Sequence, residues 1–349
     1  MTLRDLLGLD FPLIQAPMAG SQGSALALAV CNAGGLGSLP AAMLSPASLR
    51  EELTAIAAQT DRPYNVNFFC HTPPAADAAV EAAWRQSLLP YYREFGIDPD
   101  AGGAAVGRRP FDAGAAELLA QFRPRVVSFH FGLPAPELLE RVRAWGATVL
   151  ASATTVEEAR WLEAHGADAV IAQGLEAGGH RGHFLDMDLS RQLSTFALVP
   201  QIARAVRVPV IAAGGIADAD GVAAAMHLGA AAVQIGTAYL LCPEATTSAV
   251  HRAALGSEAA AHTALTNLFS GRPARGIVNR FMLERGPISA LAPPFPLAGG
   301  ALAPIRAHAE AQGSGDFSPL WSGQNASGCR EIPAGELTRE LARGFERVV

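Results

Sequence analysis

Eight short apolar runs constrain the fold of this chain more than any other feature. They occupy residues 13–18, 35–39, 64–69, 126–131, 148–151, 169–173, 208–213 and 232–236. Between most of them lie alanine-rich segments with apolar residues at three- and four-residue spacing, at 24–33, 46–59, 136–145, 156–165, 196–206 and 219–228. That spacing predicts helices with one buried face, and the alternation predicts strands joined by helical crossovers into a parallel sheet. Eight such strands close a (β/α)8 TIM barrel, an α/β fold of ~250 residues. An open doubly wound sheet is the alternative, but it more often carries a glycine fingerprint after its first strand. Here the first run ends in Pro17-Met18-Ala19-Gly20.

The chain has 349 residues, so two segments exceed a minimal barrel. Residues 71–125 read as an insertion with a helix over 78–95. Residues 241–349 follow the eighth run. Within them 243–269 reads as helical, 271–279 as a turn-rich return, and Pro293-Pro294-Phe295-Pro296 as a stiff connector. The expected organisation is a barrel domain over 1–240, a small helical lid or substrate domain over 241–290, and an arm over 291–349 packing on the barrel.

Half the residues are apolar and 17% are charged, which is the balance of a globular protein. No apolar run is long enough to span a bilayer. The first residues, Met1-Thr2-Leu3-Arg4-Asp5, lack the pattern of a secretory signal, so the expected location is cytoplasmic. A net charge of −6 without a basic patch argues against nucleic acid. The four cysteines, Cys31, Cys70, Cys242 and Cys329, are far apart, and no metal-ligand spacing appears. Every one of the 26 basic residues is arginine, so Schiff-base chemistry, which needs a lysine amine, is excluded. The assembly state is open, a homodimer included.

Barrel enzymes carry their chemistry at the C-terminal ends of the strands. Here those ends are mostly small, polar or glycine: Ala16-Pro17-Met18, Gly37-Ser38, Asn65-Val66-Asn67, Ser128 to Gly132, Ser152-Ala153-Thr154, Gln173-Gly174, Ala213-Gly214-Gly215 and Gln234 to Thr237. The last two ends lie about twenty residues apart, at the positions where barrels often bind phosphate with backbone N–H groups. The sixth run breaks into Gln173-Gly174-Leu175-Glu176-Ala177-Gly178-Gly179-His180-Arg181-Gly182. Glycines there permit close backbone approach, and a histidine held at such a turn is a candidate proton carrier.

This turn, together with Ile14-Gln15-Ala16-Pro17-Met18-Ala19-Gly20, Asn65-Val66-Asn67-Phe68-Phe69, Gly214-Gly215-Ile216 and Gln234-Ile235-Gly236-Thr237, resembles the nitronate monooxygenase family, formerly called 2-nitropropane dioxygenase. The resemblance runs through residues 10–240 and extends loosely to Trp321-Ser322-Gly323-Gln324; Ser128-Phe129-His130-Phe131-Gly132 resembles the bacterial-type class. It implies FMN as cofactor. Gly214, Gly215, Gly236 and Thr237 would hold its phosphate, with Gln234 and Ile235 bordering that site. Asn67, Gln173 and Gly178 would contact the ribityl chain or ring, and Ala16, Pro17 and Met18 would back the isoalloxazine. His180 would be the catalytic residue, the base that removes the α-proton of a nitroalkane or the group that positions a nitronate.

His130 and Ser128 are secondary candidates to line the substrate pocket. His183 reads as a solvated loop residue, Glu176 as orienting the turn, Cys70 as structural. Arg181 reads either as attracting an anionic substrate or as a surface residue. A tyrosine and a lysine of the family's C-terminal part have no clear match; Phe295, Pro296 and Arg306 occupy that region. The resemblance implies oxidation of alkyl nitronates, propionate 3-nitronate among them, by O2 through a flavin semiquinone, giving a carbonyl compound and nitrite or nitrate, in a detoxifying role without nicotinamide. An FMN-dependent enoyl-acyl-carrier-protein reductase using NAD(P)H is the rival, since related barrels share the Glu-Ala-Gly-Gly-His turn. A flavin-binding protein without turnover is a third reading.

Overall fold

The structure is a computed structural model that describes residues 2–75, 77–99 and 107–348. The insertion expected over 71–125 therefore falls partly outside the described residues. The strands in chain order are β1 (Leu13–Gln15), β2 (Gly37–Pro40), β3 (Tyr64–Phe69), β4 (Val126–His130), β5 (Thr148–Ala153), β6 (Ala169–Gln173), β7 (Gly179–His180), β8 (Val210–Ala213), β9 (Ala232–Ile235), β10 (Thr263–Thr266) and β11 (Ala274–Ile277). Eight of them form one parallel sheet in the order β1-β9-β8-β6-β5-β4-β3-β2. An Ile14–Leu36 bridge joins β1 back to β2 and closes the ring. The (β/α)8 barrel expected from the alternation is the fold.

Helices start directly after the strands because the βα turns carry capping residues. Ser45, Thr155, Ser194 and Asp218 each accept a first-turn backbone N–H. The inward residues follow the two-residue period of a strand, and they change character from bottom to top. Ile14, Leu36, Val126, Leu150, Ala169 and Ile211 form an apolar floor with Leu3 and Leu7 of the N-terminal helix Leu3–Leu7. One step higher stand Ser38, Asn65 and Ser128. Asn65 Nδ2 donates to Ser38 Oγ (3.0 Å) and to Ser128 Oγ (2.9 Å). This gradient sets a polar cavity on an apolar plug.

The segment 243–269 departs from the helical expectation. It holds a seven-residue helix, Ala249–Leu255, a 3-10 turn, Glu258–Ala261, and then strand β10. Strand β10 pairs antiparallel with β11, and β11 pairs antiparallel with β7, forming a second sheet of three strands. The alanine-rich composition favours helix locally, but the pairing partner decides for Thr263–Thr266. A second hydrophobic core joins Trp84, Leu88 and Tyr92 of helix Ala78–Glu94 to Phe281, Phe317 and to Leu302 and Ile305 of helix Ala298–Ala311. Helix Ala334–Ala342 returns to the main core through Ala334, Leu337 and Leu341. Among the described residues no helix is long and apolar enough to cross a membrane.

Candidate active site

A cavity partly open to solvent sits at the C-terminal end of the barrel. Its wall brings together Ala16, Pro17, Met18, Asn67, His130, Gln173, Gly178, His180, Gly214, Gly215, Gln234, Ile235, Gly236 and Thr237. Of the site residues proposed from sequence, Ser128 alone is not in the wall. It is buried beneath it, and its Oγ accepts from Asn67 Nδ2 at 2.9 Å and from Asn65. Ser128 thus sets the Asn67 amide and leaves Asn67 Oδ1 as the free acceptor. The wall at Met18 is fixed in a similar way: Met18 N–H donates to Gln22 Oε1 (3.1 Å), and Gln15 Nε2 donates to the same oxygen (2.6 Å).

His180 sits on β7, paired opposite Ala274 of β11. Its carbonyl accepts from Gln173 Nε2 (2.9 Å) and His130 Nε2 (3.1 Å), while Gln173 Oε1 accepts from Gly182 N–H (2.7 Å). Gln173 therefore staples both sides of the histidine turn, using one donor and one acceptor of its amide. The Ser270 hydroxyl donates to the Arg272 carbonyl (3.2 Å), which makes it the acceptor for His180 Nε2–H at 2.9 Å. Nδ1 is then the nitrogen with a free lone pair. Burial, followed by the charges of Arg108, His130, Arg272 and His71, holds the imidazole pKa well below 6.5. The ring is neutral at neutral pH, so it can accept a proton or a hydrogen bond.

Another part of the wall gathers glycines and backbone N–H groups. Gly214 and Gly215 have φ of +121° and +74°, a region that favours glycine. A Cβ on Gly214 would stand 2.8 Å from Thr195 Oγ1. The 3-10 turn Thr237–Tyr239 begins at this point, and its first N–H groups have no acceptor within the turn. At Gly236 an added Cβ would press on the Ala16 Cβ at 3.3 Å and narrow the slot. Gln234 Oε1 is buried in the wall without a partner, an acceptor that suits a ligand N–H or O–H. Glu176 does orient its turn: Oε2 accepts from Thr195 N–H (2.7 Å) and Oγ1 (2.8 Å).

Several further wall residues arrive from distant segments, some of them, such as Gly323 and Trp321, in stretches the resemblance already touches and others, such as Met43, Arg108 and Asn325, without a sequence signal. Gly323 N–H donates to Thr237 Oγ1 (2.9 Å), and Asn325 Nδ2 donates to the Gly215 carbonyl (3.0 Å), so the C-terminal segment covers the glycine-rich part of the wall. Phe69, Met43, Trp321 and Arg108 also line the cavity. Two readings of the histidine turn are corrected. Arg181 neither faces substrate nor lies on the surface. It is fully buried and straps the end of β6 through the Gln173 (2.7 Å) and Gly174 (2.6 Å) carbonyls and Gln192 Oε1 (2.9 Å). His183 is buried rather than solvated, because Arg272 grips its carbonyl and Glu158 anchors the following Phe184 N–H at 2.6 Å. Cys70 does not line the cavity. Among the described residues no cluster of acidic, histidine or cysteine side chains could hold a metal.

Comparison with known proteins gives this geometry a context. The family model described as nitronate monooxygenase matches residues 1–344. The nitronate monooxygenase of Paraburkholderia phytofirmans is 44% identical over 99% of this chain and 95% of its own length. That of Pseudomonas aeruginosa is 45% identical over 96% of each chain. Among solved structures, a nitroalkane oxidase from Streptomyces ansochromogenes superposes with a TM-score of 0.90 at 38% identity, covering 99% of this chain and 98% of that one. With the whole barrel, the histidine turn and the covering C-terminal segment all inside the match, the chain belongs to the nitronate monooxygenase family of oxidoreductases.

Proposed function

We propose that this protein is an FMN-dependent nitronate monooxygenase. It oxidises alkyl nitronates, propionate 3-nitronate among them, with O2 to a carbonyl compound and nitrite or nitrate. The observation that carries this reading is a single cavity whose wall holds both a glycine-rich set of backbone N–H groups suited to an anion and a neutral, hydrogen-bonded histidine. The residues fit the cofactor. Gly214, Gly215, Gly236 and Thr237 suit a phosphate, the unpartnered Gln234 Oε1 suits a donor, and Ala16, Pro17 and Met18 offer an apolar wall. Bound there, FMN would supply the electron transfer and oxygen chemistry that no side chain provides. The protein's own part is positioning and proton handling. His180 Nδ1 would take the α-proton of a neutral nitroalkane, with Ser270 fixing the tautomer; with an ionised nitronate no proton is taken and the ring would act by its position in the wall alone.

The test is an anaerobic absorbance spectrum of the purified holoprotein, with ethylnitronate in one cuvette and NADPH in another. A flavin band changed by the nitronate and restored by oxygen supports the reading. Bleaching by NADPH alone would move the assignment to a nicotinamide-dependent reductase. A protein that takes up no flavin would overturn the cofactor and the activity together.

A further inference from the structure

Arg108 is the one charged side chain in the cavity wall among the described residues. Its position is built rather than incidental. Pro110 bridges to Phe69 at the end of β3, and Phe111 N–H donates to the Phe69 carbonyl at 2.8 Å. The Phe111 ring is locked between Phe68, at 4.8 Å, and Phe129, at 5.3 Å. The guanidinium carbon lies 5.6 Å from the centre of the Phe295 ring, and the same ring is 5.3 Å from the His180 ring. Arginine and histidine therefore stand around one aromatic face, within reach of a ligand a few atoms long.

Among the described residues, no carboxylate pairs with Arg108. Burial lowers its pKa to about 10, so it remains a cation at neutral pH, and the charge that acts on it is the like charge of Arg306. Arg306 is itself paired with Glu310 at 2.7 Å. A desolvated cation without a counter-charge is costly, and a ligand anion relieves that cost. A guanidinium presents a planar fork that matches a carboxylate.

Resting on nitronate oxidation at this same site, we propose that Arg108 is a specificity-determining residue that binds the carboxylate of substrates carrying a second anionic group, so that carboxylated nitronates are favoured over simple alkyl nitronates. The experiment compares R108Q and R108K with the wild-type holoenzyme by oxygen uptake on ethylnitronate and on propionate 3-nitronate. R108Q lowers kcat/KM for propionate 3-nitronate roughly 10- to 100-fold, mainly through KM, and lowers it for ethylnitronate by no more than about threefold; R108K recovers part of the loss. Calorimetric binding of butyrate, which has a carboxylate and no nitro group, weakens at least about tenfold in R108Q by the same reasoning. Equal losses on both nitronates would mean that Arg108 serves the nitro group or the fold, and would overturn the proposal. Butyrate affinity indifferent to R108Q would overturn it as well. A wild-type enzyme inert to both nitronates, yet binding butyrate through Arg108, would count against the nitronate reading while upholding the carboxylate site.

Discussion

At the scale of single residues, the structure holds one imidazole of the cavity wall firmly. His180 has its carbonyl gripped by Gln173 and His130 and its Nε2 tied to Ser270, so Nδ1 is the atom left for substrate. Replacing His180 by asparagine keeps a small polar group but removes the base. The H180N enzyme should retain its flavin, lose about 100-fold or more on neutral nitroethane, and lose roughly tenfold or less on ethylnitronate. Equal losses on the two substrates, read from steady-state oxygen uptake, would exclude proton abstraction by this ring. The place of His180 in the cavity wall was legible in the sequence because glycines flank it after an apolar run. The burial of Arg181 and His183 was not, since their cover comes from Arg272, Gln192 and Glu158, far along the chain. Nearby, Phe131 takes a left-handed φ of 70°, which costs a side chain on the order of 1–3 kcal/mol. Its ring is held by the Arg272 guanidinium 4.1 Å above it, so the backbone strain coincides with a packed aromatic wall.

At the scale of elements, the barrel strands were legible because parallel strands buried on both faces read as unbroken apolar runs. Strands β3 and β6 match their expected limits, and the others shift by a few residues where turns begin. Strand β7 was invisible. Two residues carry no periodicity, and Gly179–His180 is a strand only because β11 pairs with it. The loop joining β10 to β11 also delivers Ser270, so one small sheet supplies both the backbone of the histidine and the partner of its ring. S270A tests that coupling. Loss of one hydrogen bond, about 1 kcal/mol, should lower kcat on nitroethane roughly five- to tenfold and leave KM nearly unchanged. The pH–rate profile should shift because the tautomer is no longer fixed, and S270T should restore most of the rate. An unchanged pH profile with a raised KM would show that Ser270 acts on substrate rather than on His180.

At the scale of the whole molecule, burial keeps several histidines neutral. His71, His130 and His251 are pushed down to about 4, and His183 to about 3, in each case chiefly by burial. The unfolded chain binds protons at these rings near pH 6.5, whereas the folded chain does not until far lower. Folded stability is therefore intact above pH 6.5 and falls as pH drops toward 4, by about 1.4 kcal/mol per pH unit for each ring within its window. The urea midpoint should fall clearly between pH 7 and 4.5; a flat midpoint would show that these rings are solvated. The second core adds a further constraint, because helix Ala78–Glu94 from the middle of the chain packs against helix Ala298–Ala311 near its end. Synthesis order gives the β7–β11 pairing a temporal meaning. Every barrel strand has been made once Ile235 leaves the ribosome, but the partner of His180 is made only at Ala274–Ile277, and Asn325 reaches the Gly215 carbonyl about ninety residues after Ile235. At ~5–20 residues per second the roughly forty residues from Ile235 to Ala274 take roughly two to eight seconds, during which the nascent barrel already holds Gly214, Gly215 and Gly236 while His180 still lacks its strand partner.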